Sequence, residues 1–249
     1  MKTKHKKNNA PFTNSELIIY GRHAVLAALS NPKRKISKLL CTAENLAEAT
    51  RIGRISPQVV EKRELDKLLG ESAVHQGWTA FAQRLDDWSL DDLLAAAENT
   101  AECHILILDQ VTDPQNIGAI IRTAVAFDTL ALVVQDKNSP CESGAMDKAA
   151  AGMIEHLPIV RAVNLARAIE RLKEAGFWII GMDGYAKLTP SELKKGGKTA
   201  IVMGSEGKGM RRLIEESCDI AVRLPISAKV ESLNVGIAAA IALYEINRK

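Results

Sequence analysis

The chain has 249 residues, of which 47% are hydrophobic and 25% charged, with a formal net charge of +3. That length and apolar content support one large domain or two modest ones with a real core, and there is no internal repeat or low-complexity segment. The mild basicity is compatible with a nucleic-acid partner without singling one out. Four cysteines, Cys41, Cys103, Cys141 and Cys218, stand far apart with no CxxC. This is the pattern of reduced thiols in a cytoplasmic protein. No His/Cys group has metal-ligand spacing, so no metal is expected. No apolar run is long enough to cross a membrane, and no secretory leader pattern is present.

Residues 1–14 carry Lys2, Lys4, Lys6 and Lys7 among polar residues and read as a disordered basic tail. Residues 15–85 read as a small α/β unit. A helix is expected over 22–29, closed by Asn31-Pro32, then a strand over 36–41 and a helix over 44–55. An extended stretch over 57–60, a helix over 63–69 ended by Gly70, and a turn at His75-Gln76-Gly77 into a strand follow. Residues 86–102 read as a linker. Within it, Ser89-Leu90-Asp91-Asp92 has the form of a capping box opening a helix through Ala97.

From 103 to 249 strands and helices alternate. Strands are expected over 104–108, 130–134, 157–160, 177–182, 200–203 and 220–224. Helices are expected over 117–127 and 144–153, from the cap Asn164 to 175, and over 235–243. Such alternation specifies a mainly parallel sheet covered on both faces. The last two strands, taken as neighbours, would place two polar loops together where α/β sheets hold ligands.

The first of those loops, Gly204-Ser205-Glu206-Gly207-Lys208-Gly209, suggests a nucleotide loop, and its spacing refutes one. GxxxxGK[ST] fails because Met210 follows Gly209, and GxGxxG fails because Gly207-Lys208-Gly209 runs on to Arg212. The strand over 104–108 runs into Asp109-Gln110-Val111 rather than a glycine-rich turn. Kinase, ATPase, dinucleotide-dehydrogenase and Rossmann-like methyltransferase readings are therefore disfavoured.

Three separated pieces are more specific together. They are Asn116-Ile117-Gly118-Ala119-Ile120-Ile121-Arg122, Met203 to Gly209, and Leu224-Pro225-Ile226 with Ser232-Leu233-Asn234-Val235. In this order they resemble the three motifs of the SpoU/TrmH family of RNA ribose 2′-O-methyltransferases, within the SPOUT superfamily. The first unit resembles the family's ribosomal-protein-like RNA-binding domain, through Tyr20-Gly21-Arg22-His23-Ala24-Val25 and His75-Gln76-Gly77. The pairing is most similar to the subgroup that methylates a guanosine of 23S ribosomal RNA. The resemblance implies a deep trefoil knot in the C-terminal domain, S-adenosylmethionine bent among the knot loops, and a homodimer with helices near the cofactor packed across its two-fold axis. One departure is Ser227-Ala228-Lys229-Val230-Glu231, where relatives often carry glycine.

The resemblance also assigns residues. Arg122 goes to the reacting hydroxyl. Free arginine, with a pKa above roughly 12, is a very poor base, so orientation and charge stabilisation suit it better than proton abstraction. Read alone, it is an ordinary surface arginine. Asn116 is placed to bond Arg122 or the ribose, or to cap its helix. Glu206 is expected to pair with Arg122 or substrate; otherwise it is a solvated loop carboxylate. Ser232 and Asn234 open the last helix, toward substrate or cofactor or simply as caps. Backbone near Gly204, Leu224, Ile226 and Leu233 would hold the cofactor, and those apolar side chains suit a purine face or plain core. RNA would meet Arg22, His23, Lys33, Arg34, Lys35, Lys208, Arg211 and Arg212. With aromatic residues at only 4%, recognition would rest on phosphates, shape and a splayed nucleotide. His23, His75, His104 and His156 read as structural. Two rivals remain open at this point: the same chemistry on transfer RNA, and a catalytically silent ribosome-assembly factor.

Overall fold

The computed structural model describes residues 16–137, 139–193 and 196–248; the basic tail expected over 1–14 lies outside them. The first unit runs β1 (Leu17–Tyr20), α1 (Arg22–Ser30), β2 (Ile36–Cys41), α2 (Leu46–Ile52), β3 (Pro57–Val59), α3 (Lys62–Leu69) and β4 (Trp78–Ala82). Its strands form a four-stranded mixed sheet in the order β1-β4-β2-β3, antiparallel except for β2 with β3. Trp78, Leu39, Ile19 and Val25 fill its core.

Next comes α4 (Leu90–Glu98), opened by the Ser89/Asp92 capping box that the sequence announced. The stretch expected as a linker is more than a tether. Leu93 and Ala97 are buried in the larger domain's core, and Trp88 bridges to Val160 along an edge strand.

The larger domain continues with β5 (Cys103–Leu108), α5 (Pro114–Ala126), β6 (Ala131–Gln135), α6 (Gly144–Ala150), β7 (Ile159–Ala162), α7 (Leu165–Glu174), β8 (Phe177–Met182), β9 (Lys198–Met203), α8 (Arg212–Glu216), β10 (Ile220–Val222) and α9 (Val235–Asn247). Its six strands are all parallel, in the order β10-β8-β9-β5-β6-β7. Alternation along each strand splits the core in two. Ile105, Ile107, Val133, Ala200 and Val202 face α4, α7 and α8. Leu106, Leu108, Val134, Ile201 and Met203 face α5, α6 and α9.

On that second face small residues let helices touch. A Cβ on Gly118 of α5 would meet the Met146 carbonyl oxygen of α6 at 2.5 Å, and one on Gly236 of α9 would meet the Ala119 Cβ of α5 at 3.4 Å. So α5 is held between α6 and α9.

One expectation is corrected. β9 and β10 are not neighbours, because β8 lies between them. Three loops rather than two therefore converge at the carboxyl ends of the strands. Pairing order is a long-range property that no local pattern encodes.

Candidate active site

The loops after β8, β9 and β10 enclose a cavity of about 490 Å³. The glycine loop after β9 folds back on itself: Ser205 N–H donates to the Gly209 carbonyl at 3.0 Å, and Gly209 N–H to that of Ser205 at 2.9 Å. Gly207 and Gly209 sit at φ +79° and +68°, where side chains are strained. The fold-back crowds Gly204 so closely that a Cβ there would lie 2.2 Å from the Gly209 carbonyl carbon. Glycine at 204 is thus a steric requirement, and the cavity wall is bare backbone.

Of the expected cofactor residues, Gly204, Leu224, Ile226, Ser232 and Leu233 line the cavity together with Met203 and Val222. The walls combine peptide groups with apolar side chains and, at the rim, Asp183, Glu206, Glu215 and Arg223. Such a surface suits a nucleoside with a charged amino-acid tail: the purine against aliphatic groups, its edge on peptide donors and acceptors, the zwitterion among fixed charges. S-adenosylmethionine has that composition, and these residues fit it.

Asn234 stands behind the cavity. It caps α9, its Oδ1 accepting from Gly236 N–H at 3.0 Å, and its Nδ2 donates to Asn116 Oδ1 at 2.8 Å. The expected cap at Ser232 is corrected, since that residue lies two positions before the helix cap. Asn116 is not a cap either; Asp113 caps α5, accepting from Gln115 N–H at 3.0 Å. Asn116 sits in the first turn, where its amide is free to reach Asn234. The two motifs are therefore joined by a side-chain hydrogen bond across 118 positions.

Arg122 is exposed on α5 and is absent from the cavity lining of its own chain. Glu206 is exposed at the loop tip and, among the described residues, makes no ion pair. The expected Glu206–Arg122 pairing is therefore not formed within one chain.

Two features of the site carry no motif in the sequence. Asp109, fully buried after β5, accepts from the backbone N–H of Arg211 at 2.7 Å and from its Nε at 2.8 Å. This clamp fixes the glycine loop to the α5 entrance. Arg211, expected on a basic rim, is partly exposed with its guanidinium engaged by Asp109. The available signal was a carboxylate directly after the apolar run His104 to Leu108. The other feature is Asp183-Gly184-Tyr185 after β8, with Tyr185 94% exposed beside the cavity.

Arg34 is corrected outright. It is completely buried and ion-paired to Glu142 and Glu155, so it cannot meet RNA. His23, Lys33, Lys35 and Lys208 are exposed as expected, and Arg22 is exposed while paired to Glu48. His75 is held between Asp66 and the Gly77 N–H, and His104 against Thr199, both structural. Burial lowers the His104 pKa, keeping its ring neutral. Burial pushes the Cys218 thiol beneath the site up to about 12, so it packs rather than attacks. Among the described residues, no cluster of His, Cys, Asp and Glu could hold a metal ion.

Fold and site together define the class: the chain belongs to the SpoU rRNA methylase family, whose model matches residues 104–244. A second model, RNA 2′-O ribose methyltransferase substrate binding, matches residues 18–88. Among relatives, the 23S rRNA (guanosine-2′-O-)-methyltransferase RlmB of Pseudomonas syringae is 39% identical over 241 residues, spanning 93% of this chain and 95% of that one. A Bacillus subtilis protein named for TrmH-family tRNA/rRNA methyltransferases, YacO, is 37% identical over 239 residues, with coverages of 93% and 95%. In fold, the SpoU methyltransferase AviRb of Streptomyces viridochromogenes, solved with AdoMet, superposes with a TM-score of 0.79 over 94% of this chain and 90% of that one, at 22% identity.

Proposed function

We propose that the chain transfers a methyl group from S-adenosylmethionine to the 2′-hydroxyl of a guanosine in 23S ribosomal RNA, in the cytoplasm and as a homodimer. The observation that carries this reading is the cavity walled by the glycine loop of the second motif and by the third, with the third joined to the first by the Asn234–Asn116 hydrogen bond. The names and extent of the relatives support the ribosomal substrate over transfer RNA. The free cysteines and the absence, among the described residues, of a helix able to cross a membrane are compatible with the cytoplasm. The family's trefoil knot belongs to the same reading, on the strength of the family match over residues 104–244.

The bound cofactor supplies an electrophilic methyl on a sulfonium. The chain's task is to hold the hydroxyl in line with it and to stabilise the charge that develops as the proton leaves. Arg122 donates to that oxygen and to a neighbouring phosphate. Glu206 and Ser232, which line the cavity, are our candidates to accept the proton or its hydrogen bond. Arg122 lies off its own chain's cavity, on a helix beside α9, whose Ile237, Ile241 and Tyr244 are 54%, 38% and 52% exposed. That i, i+4, i+7 stripe favours a second copy packed there, bringing its Arg122 to this cavity.

An Arg122→Ala protein tests the assignment. Cofactor affinity stays at the wild-type value while methyl transfer to unmodified rRNA falls by about 10²-fold or more. Transfer at the wild-type rate would remove Arg122 from the site.

A further inference from the structure

The first unit does not merely hang from the catalytic domain. Three elements of it, β1, α1 and the Arg34 loop, rest on α6 and on the short turn Met153–Glu155 that follows. The contact is close. A Cβ on Gly144 would lie 2.5 Å from the Ile18 carbonyl oxygen, and one on Gly152 would lie 2.5 Å from the Ala27 Cβ. Two glycines thus admit two backbones at a distance no other residue allows.

At the centre stands Arg34, with every donor group engaged. Its Nη2 meets Glu142 at 2.6 Å and Glu155 at 2.7 Å, its Nε donates to Glu155 at 2.9 Å, and its Nη1 to the Gln83 carbonyl at 3.0 Å. Asn31 adds a bond to Glu155 at 2.6 Å. Both carboxylates come from the catalytic domain and the arginine from the substrate-binding unit. A third carboxyl, Asp147 of α6, is completely buried beside them, and its oxygens have no hydrogen-bond partner as acceptors. Three carboxylates against one guanidinium cannot all be charged in a dry site. Burial and the nearby Glu142 hold the Asp147 proton well above the usual carboxylate range, and a neutral Asp147 can donate to Glu142. The cluster then balances closer to neutrality.

We propose that Arg34 is a positioning residue for the methylation reaction: through Glu142 and Glu155 it locks the substrate-binding unit onto the catalytic domain in one register, fixing the reach from RNA grip to methyl group. This rests on the proposed function for its enzymatic consequence, though not for the lock itself. A buried ion pair is a poor source of net stability, because desolvation offsets most of the attraction. It is a good source of register, since any slippage leaves a buried charge unpaired. The RNA contacts on one unit and the reacting nucleotide on the other are then linked at a fixed spacing, which raises the effective concentration of the target. Other titratable groups line the adjoining cleft: Lys33, Lys35, Arg84, His156, Asp86, Asp92 and Cys141, with the Arg161–Asp87 pair. Lys148, on α6, is turned away toward Gln76.

The test uses full-length Arg34→Met, which keeps length and removes charge, beside Arg34→Met/Glu142→Gln/Glu155→Gln, which removes the stranded carboxylates as well. The proposal expects Arg34→Met to raise the KM for rRNA on the order of tenfold, with kcat and cofactor affinity near wild type. Small-angle scattering should show a larger maximum dimension. The triple variant, which strands no buried charge, should recover compactness at neutral pH. A folded Arg34→Met protein with unchanged KM and unchanged scattering overturns the proposal. So does a parallel loss of cofactor binding, which marks general damage. Should the single variant not fold, Glu155→Gln, which keeps the hydrogen-bonding shape, must show the same KM rise or the lock is refuted. If wild type has no methyltransferase activity, the function is wrong, and the scattering comparison still decides the lock.

Discussion

At the residue scale, two asparagines separate capping from chemistry. Asn234 both caps α9 and donates to Asn116. Asn234→Ala loses both roles, and cap loss costs about 1 kcal/mol. Asn234→Asp keeps the cap acceptor and loses the donor. We expect thermal melting to fall for the alanine variant and to recover for the aspartate variant, with methylation impaired in both. Recovery of activity by aspartate would reduce Asn234 to a cap. Asp147 gives a pH signature. Its folded pKa is raised, while an unfolded carboxyl titrates near roughly 3.9. Its contribution is therefore most favourable below that unfolded value and declines as pH rises toward the folded one. Asp147→Asn, which keeps the shape and needs no proton, should melt higher than wild type at pH 8, with the gap narrowing toward pH 5. A constant gap would contradict a retained proton. Asn116 and Asn234 were legible in the sequence because motif context singled them out. Arg34 was not: it stands in a basic run with Lys33 and Lys35, while its partners lie 108 and 121 positions away.

At the element scale, the glycine loop is a steric device. Gly204→Ala must push its Cβ against the Gly209 backbone, and overpacking of that kind costs about 1–3 kcal/mol. Cofactor affinity should fall by about one to two orders of magnitude in calorimetric titration. Unchanged affinity would mean that this wall does not bind the cofactor. The elements themselves were largely readable. β2 and β8 fall on their expected residues, and α5 begins three residues early because Pro114 follows the cap Asp113. Both signals are local: apolar runs bounded by turns, and helix-start chemistry. Strand order was not readable, so the third loop, with Tyr185, entered the site only through the β8 position between β9 and β10. The buried role of α4 was hidden likewise, since an amphipathic helix does not name the core it joins.

At the scale of the whole molecule, the role proposed for Arg122 calls for two chains. If Arg122 serves the partner's cavity, Arg122→Ala and Gly204→Ala chains, assayed at cofactor concentrations where each is nearly inactive alone, should regain roughly a quarter of wild-type activity after mixed refolding by random assortment. A site built within one chain gains nothing from mixing. The exposed apolar stripe on α9 was visible as residues in the sequence, where α9 reads as uniformly apolar, and its partly solvent-facing side emerged only from the packing of α9 against α5 and β9. The most direct test of the central claim is the chemistry of the product. Purified chain, unmodified 23S rRNA and methyl-labelled S-adenosylmethionine should yield label in an alkali-resistant dinucleotide containing 2′-O-methylguanosine. Label in an alkali-sensitive nucleotide, carried on a base, or no label in rRNA at all, would contradict it.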